Sequence, residues 1–450
     1  MRSLAVMLAV LGVSACRPAE VVVVPDSGAP DAGSAVEDAG TQVVCGKRLS
    51  SDPARAARGR EALLTTGVTG PLVPALAMQN LWWVWGTGQP ADYWAAFRAR
   101  YGFGLNEGVR LIGNSATLDC LACHQGSVNG QSLVGLGNPR SDLTLLQEDL
   151  AQLATMAGFQ PPSYARLRTG ARGVNDAMGL GLELSLQYGA PPSPIQTDIG
   201  FQDPPAWWGL SRKSRMFTDG SGDIRAHRSM MATLLAFGVT QAELESKEET
   251  FKDVREYLLS LEPPAWPFAA PAADAVARGR EVFVATCERC HGSPACDASG
   301  SELVTLQEVG TDPIRAQRYG TAEVAWVNAG WLAQDYPEQS TGQYVAPPLR
   351  GVWATAPYFH NGSVPTLAAV LESSTRPKYF ELEAGADDYD PVKVGRKYTA
   401  HAAPPASPPR EARARVYDTT KPGLSNAGHT FGDALTPAER ADLVEFLKTY

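Results

Sequence analysis

Apolar positions along this chain fall into three patterns. Near the start, residues 4–13 form a continuous apolar run behind Arg2. The run is too short to span a bilayer and has the length of a signal-peptide core. Residues 17–44 follow, rich in Pro, Asp, Ala, Gly and Val. They present no periodic apolar face and predict a flexible tether. From residue 45 onward the pattern is helical but interrupted. Amphipathic helices are expected to open near Ala57 and Ala277, and two more to cover residues 253–258 and 442–447. The last has a defined start, with Thr436 as N-cap, Pro437 at the first helical position and Glu439 completing a capping box. Pro263-Pro264 stop the helix over 253–258, and residues 263–271 read as a linker. With 43 Gly and 34 Pro, the remaining connections are expected to be long and irregular.

Two pentapeptides change this picture from helical protein to cofactor protein. Cys120-Leu121-Ala122-Cys123-His124 and Cys287-Glu288-Arg289-Cys290-His291 are both C-x-x-C-H runs. Two thiols three residues apart can form thioethers to the two vinyl groups of one porphyrin, and the following His then lies under the iron. A zinc ribbon would close two C-x-x-C knuckles on one metal and leave each His unused. The expectation is two covalent haem c groups, attached at Cys120, Cys123, Cys287 and Cys290, with His124 and His291 as iron ligands.

The helical pattern repeats around these runs. Ala57-Arg58-Gly59-Arg60-Glu61 recurs as Ala277-Arg278-Gly279-Arg280-Glu281. Phe217-Thr218-Asp219-Gly220-Ser221 aligns with Phe359-His360-Asn361-Gly362-Ser363, Pro204-Pro205 with Pro347-Pro348, and Gly209 with Gly351. The two closing helices also correspond. The predicted fold is mainly α, two tandem cytochrome c-like domains with long irregular loops, over residues 45–265 and 266–450. Residues 1–15 are read as a signal peptide and 16–44 as a lipidated Cys and tether. The first half differs by a long insertion before its haem run, carrying Trp82, Trp83, Trp85 and Trp94, expected mainly as core.

Charge and cysteine usage set the compartment. A formal net charge of −9 argues against a nucleic-acid partner. Val13-Ser14-Ala15-Cys16 resembles a bacterial lipobox, with Cys16 acylated after cleavage. The resemblance implies an exported periplasmic or outer-membrane lipoprotein of a Gram-negative bacterium, held to the membrane by its lipid anchor only. Of the seven Cys, Cys45 and Cys296 are then left over. In an oxidising compartment they are expected either to pair as a disulfide or to stay free.

The haem runs, the stretch Ala356-Pro357-Tyr358-Phe359-His360-Asn361-Gly362-Ser363-Val364-Pro365-Thr366-Leu367 and Ser425-Asn426-Ala427-Gly428-His429 together resemble the bacterial di-haem cytochrome c peroxidase and MauG superfamily. Within it, the chain is most similar to the rubber-oxygenase-like branch. Two departures stand out. No His lies between His124 and His227, where the peroxidase pattern has a distal His, and no Met follows Met231 to ligate the second haem. The resemblance places His429 as the sixth ligand of the second haem, with His360 as the alternative. His401 lies in an Ala/Pro-rich loop and is expected at the surface. For the first haem, His227, Met156, Met178, Met216, Met230 and Met231 are candidates, but an open or water-bound iron is favoured. Arg212, Lys213 and Arg215 are candidates for the haem propionates, and Trp207 and Trp208 for the haem border. Related peroxidases hold a calcium ion between domains, but no ligand set here distinguishes one.

These readings lead to a di-haem oxidoreductase, peroxidase-like or oxygenase-like. Its first haem would bind dioxygen or peroxide, and its second would pass electrons from a small redox partner. The alternative is a non-catalytic electron carrier with two six-coordinate haems.

Overall fold

The computed structural model describes residues 37–38, 41–42, 45–69, 72–159, 169–176, 200–235, 240–296, 302–385 and 387–450. It divides into two compact units, residues 1–42 and 43–450. In the first, Glu37–Asp38 pairs antiparallel with Thr41–Gln42. The signal segment, Cys16 and most of the tether lie outside the described residues.

The second unit is built on two matching helix pairs. Helix Pro53–Glu61 packs on Glu248–Ser260, and helix Ala273–Thr286 on Pro437–Thr449. In each pair the helices touch backbone to backbone at a glycine. A Cβ on Gly59 would lie 2.0 Å from the Asp253 carbonyl oxygen, and one on Gly279 would lie 2.0 Å from that of Asp442. Only glycine permits this approach. An arginine one residue earlier then reaches the same partner: Arg58 Nε to Asp253 Oδ2 and Arg278 Nε to Asp442 Oδ2, both 2.7 Å. Thr436 forms the expected capping box with Glu439, and the Asp52 carboxylate caps the opening helix by accepting from the Ala54 and Arg55 amides.

The F-x-x-G-S loops also repeat in three dimensions. Phe217 and Phe359 have φ of 64° and 70°, and Gly220 and Gly362 both have φ of 67°. Gly220 donates to the Phe217 carbonyl (3.2 Å), as Gly362 does to that of Phe359 (3.1 Å). The Ser221 amide donates to Asp219 Oδ1 and the Ser363 amide to Asn361 Oδ1.

Contacts hold residues 43–450 together as one compact unit that contains both repeats. Residues 263–271 are not a free linker. The Trp266 ring packs edge-on against Trp353 and Tyr389, and Phe268 stacks on Tyr389 at 5.3 Å. Aromatic burial ties the connection into the second core.

The loops are more ordered than the Gly and Pro content suggests. Among the described residues they pair into small sheets of two to four strands, which satisfies backbone groups that the interior would otherwise strand. The largest sheet lies in the Trp-rich insertion and runs Val73–Pro74, Ser115–Leu118, Gly108–Ile112, Gly104–Leu105. Helices Tyr93–Tyr101 and Leu143–Met156 complete a core of its own around Phe97, Tyr101, Phe103 and Leu146. Trp85 and Trp94 pack into that core as expected, whereas Trp83 is 56% exposed.

Candidate haem sites

Each C-x-x-C-H run forms a single helical turn, Leu121–His124 and Glu288–His291. The His124 amide donates to the Cys120 carbonyl at 2.9 Å and the His291 amide to that of Cys287 at 3.0 Å. The turn brings the two Cys and the His of each run to one side. The first turn is anchored from below. Asp119 Oδ1 accepts from the Leu121 amide, while its other oxygen takes Arg110 Nε at 2.5 Å. Asn138 Nδ2 donates to the Ala122 carbonyl at 3.0 Å. A Cβ on Gly108 would lie 2.5 Å from Ala122 Cα, so the insertion's sheet presses directly on the turn.

The Cys and His side chains are partly buried, with Cys120, Cys123 and Cys287 packed at the edges of the apolar clusters. Burial pushes the Cys120, Cys123 and Cys287 thiols up to about 12. It pushes His124 down to about 4 and lowers His291 as well. Both imidazoles are therefore neutral near pH 7, the form that binds a metal.

A carbonyl from the repeated Pro-Pro segment addresses each imidazole. His291 Nδ1 donates to the Pro347 carbonyl at 2.8 Å, which fixes the tautomer and leaves Nε2 for iron. The Pro205 carbonyl faces His124 in the same sense and partly offsets its burial, though Nδ1 makes no hydrogen bond of ordinary geometry. Instead the His124 ring stacks on Trp207, with centroids 4.5 Å apart and planes at 24°. Composition alone gave Trp207 no preference between core and haem border. Its place right after Pro204-Pro205-Ala206 is the signal that could have found it.

The two sites differ on the opposite side. His429 faces His291 with ring centroids 6.3 Å apart. Two imidazoles that each reach one metal through a bond of about 2 Å have centroids roughly 6 Å apart, so this pair fits an iron between them. Burial pushes His429 down to about 4 and its Nδ1 has no partner. The loop that carries it is gripped by Arg376, whose guanidinium donates to the carbonyls of Ala369, Val370, Asn426, Gly428 and His429. Sequence reasoning did not single out Arg376, because a clamp on carbonyls leaves no pattern of side-chain types.

The other candidate, His360, is placed elsewhere. It stacks on Tyr344 at 4.3 Å, with Nε2 3.1 Å from the tyrosine hydroxyl. His401 is partly exposed, 3.8 Å from Glu381.

Around the first site, His227 bonds to Glu248 Oε1 at 3.0 Å and lines a cleft of about 480 Å³ with Arg225 and Tyr336. Met156 is exposed. Met216, Met230 and Met231 lie in apolar clusters, and Met178 lies outside the described residues. Arg212 pairs with Glu262 at 3.0 Å, and Arg215 donates to the Gly220 carbonyl. Lys213 is different: among the described residues no carboxylate pairs with its ammonium, and burial pushes it down to about 8. An enclosed cation of this kind suits a propionate. Trp208 lies in the second core, with its Nε1 at 3.0 Å from the position of a Cβ on Gly351.

Cys45 and Cys296 are bridged, with Cα atoms 5.1 Å apart. Among the described residues, no three His, Cys, Asp or Glu side chains gather into a further metal-binding group, and no helix is long and apolar enough to cross a membrane.

Residues 342–381, which span the strand before Pro347 and the Phe359 loop, match the family described as RoxA-like, cytochrome c-like. This match and the two C-x-x-C-H turns support a haem-dependent, cytochrome c-like redox protein. Two uncharacterized proteins of Sinorhizobium fredii are similar to it. The protein y4iJ is 31% identical over 263 residues, covering 42% of this chain and 41% of the relative. The protein y4iM is 31% identical over 313 residues, covering 58% of this chain and 66% of the relative. The matched region thus spans less than two thirds of either relative. A solved MauG-like protein associated with microbial copper homeostasis covers 55% of this chain and 72% of its own, at 20% identity and a TM-score of 0.30.

Proposed function

We propose that this cytochrome c-like redox protein carries two haem c groups and is an oxidoreductase, with dioxygen or peroxide reacting at the first site and electrons entering through the second. The observation that carries this reading is the asymmetry of the two sites. His291 has a facing imidazole at 6.3 Å. Among the described residues no second imidazole lies opposite His124, whose ring face stacks on Trp207.

Haem bound at these turns supplies one-electron and oxygen chemistry. The chain's own residues do the rest. Cys120 and Cys123 hold one porphyrin, and Cys287 and Cys290 the other. His124 and His291 donate through Nε2, His291 oriented by the Pro347 carbonyl and His124 by its stack on Trp207 beside the Pro205 carbonyl. His429, held by Arg376, closes the second site against exogenous ligands. Lys213 neutralises a propionate. Export, and a lipid anchor at Cys16, remain part of the proposal and account for a haem c protein with an internal disulfide.

Carbon monoxide titration of the reduced protein tests the reading. Binding to one haem out of two is the expected result. Two inert haems would make the protein a plain electron carrier. Steady oxidation of a reduced small cytochrome on adding peroxide would then separate peroxidase from oxygenase chemistry.

A further inference from the structure

Each repeated loop is bonded to the other half's Pro-Pro strand, so the halves hold each other crosswise. The Asp203 amide, directly before Pro204-Pro205, donates to the His360 carbonyl at 2.7 Å. In return the Val345 amide, two residues before Pro347, donates to the Thr218 carbonyl at 2.9 Å. Arg315 binds both sides of the crossing, reaching Asp219 Oδ2 at 2.7 Å and Gln202 Oε1 at 3.3 Å.

The side chains at the two equivalent positions differ. The Thr218 hydroxyl is buried without a partner. His360 is anchored. Tyr344 Oη donates to the Asp312 carbonyl at 2.7 Å and accepts from the Ala316 amide. Its one proton is thus committed, so His360 Nε2 carries the hydrogen and donates to it at 3.1 Å. The rings also stack. Tyr344 sits on strand Gln343–Ala346, which runs straight into Pro347, the carbonyl partner of His291. His360 therefore touches the strand that orients one proximal imidazole through its side chain. Through its carbonyl it touches the segment whose Pro205 carbonyl faces the other.

We propose that His360 is a positioning residue that sets the proximal ligand geometry of both haem sites at once, through Tyr344 and Pro347 towards His291 and through Asp203 and Pro205 towards His124. The inference rests on the di-haem reading. Loss of the ring frees Tyr344 and lets the turn at Phe359, held at a φ of 70°, relax. Both Pro-Pro segments then shift together.

The test uses the haem-loaded full chain, with His360→Ala, His360→Gln and Tyr344→Phe compared by ferric EPR and by the midpoint potentials of both haems. Covalent haem content and far-UV circular dichroism establish folding. His360→Ala is expected to shift the signals and potentials of both haems. His360→Gln, whose amide can still donate to Tyr344, should restore both in part. Tyr344→Phe, which keeps the ring but loses the hydroxyl, carries the test if the alanine variant does not fold, and it too should move both haems. A change confined to the second haem, or no change at either, overturns the proposal. Failure of the underlying reading shows separately, as a wild-type protein with fewer than two covalent haems.

Discussion

At the scale of single residues, the site is a matter of which imidazole faces which. His429 is the residue on which the second site turns. Its replacement by Ala should convert that haem from low-spin to high-spin and open it to cyanide, read by EPR and absorbance. An unchanged low-spin spectrum would contradict the assignment. The roles proposed for His124, His291 and the four Cys rest on spacing, because the chemistry of thioether attachment requires adjacent residues. His360 and His429 were not separable that way. Both lie in turns with a residue at positive φ, and only the placement of Tyr344 and Arg376 distinguishes them. Those partners are 16 and 53 residues away in sequence, and no local pattern links them. Lys213 was legible as a candidate but not above Arg212 and Arg215, since what sets it apart is that Arg212 pairs with Glu262, 50 residues away, a tertiary contact.

At the scale of elements, the duplicated helix pair is the part best specified by the chain. The Ala-Arg-Gly-Arg-Glu repeat encodes both the close contact and the salt bridge beside it. Gly279→Val should wedge the second pair apart and cost on the order of 1–3 kcal/mol, with Gly59→Val doing the same in the first pair. A thermal midpoint equal to wild type in both would rule out the close approach. Arg278 holds the Asp442 carboxyl below the usual carboxylate range. A carboxylate whose folded pKa is depressed stabilises the fold above its unfolded pKa of about 4 and loses that contribution as pH falls further. Asp442→Asn should therefore lower stability by a small, constant amount above about pH 4 and flatten the acid limb below it, so that variant and wild type converge as pH falls. Chemical denaturation across that range is the check. What the repeat did not reveal is the sheet content of the loops. Glycine and proline mark where a chain turns, but not which segments then pair across long separations, and the insertion's four strands are short and partly polar.

At the scale of the whole molecule, two repeats close into one unit instead of standing as separate bodies. Three features hold them: the crossed loop–strand bonds, the packing of Trp208 into the second core beside Gly351, and the Cys45–Cys296 bridge, which spans 251 residues. Leftover cysteines pointed to the last, whereas the first two depend on partners brought together only by folding. Cys45→Ser should destabilise the unit by about 2–4 kcal/mol without altering either haem spectrum. Loss of covalent haem in that variant would mean the bridge shapes the second site itself.

The central claim is that one repeat holds a six-coordinate haem and the other an open one. The ferric EPR spectrum of the purified protein, recorded with and without cyanide, tests it most directly. The account predicts one low-spin signal that cyanide leaves unchanged and one high-spin signal that cyanide converts to low-spin. Two low-spin signals indifferent to cyanide would contradict it.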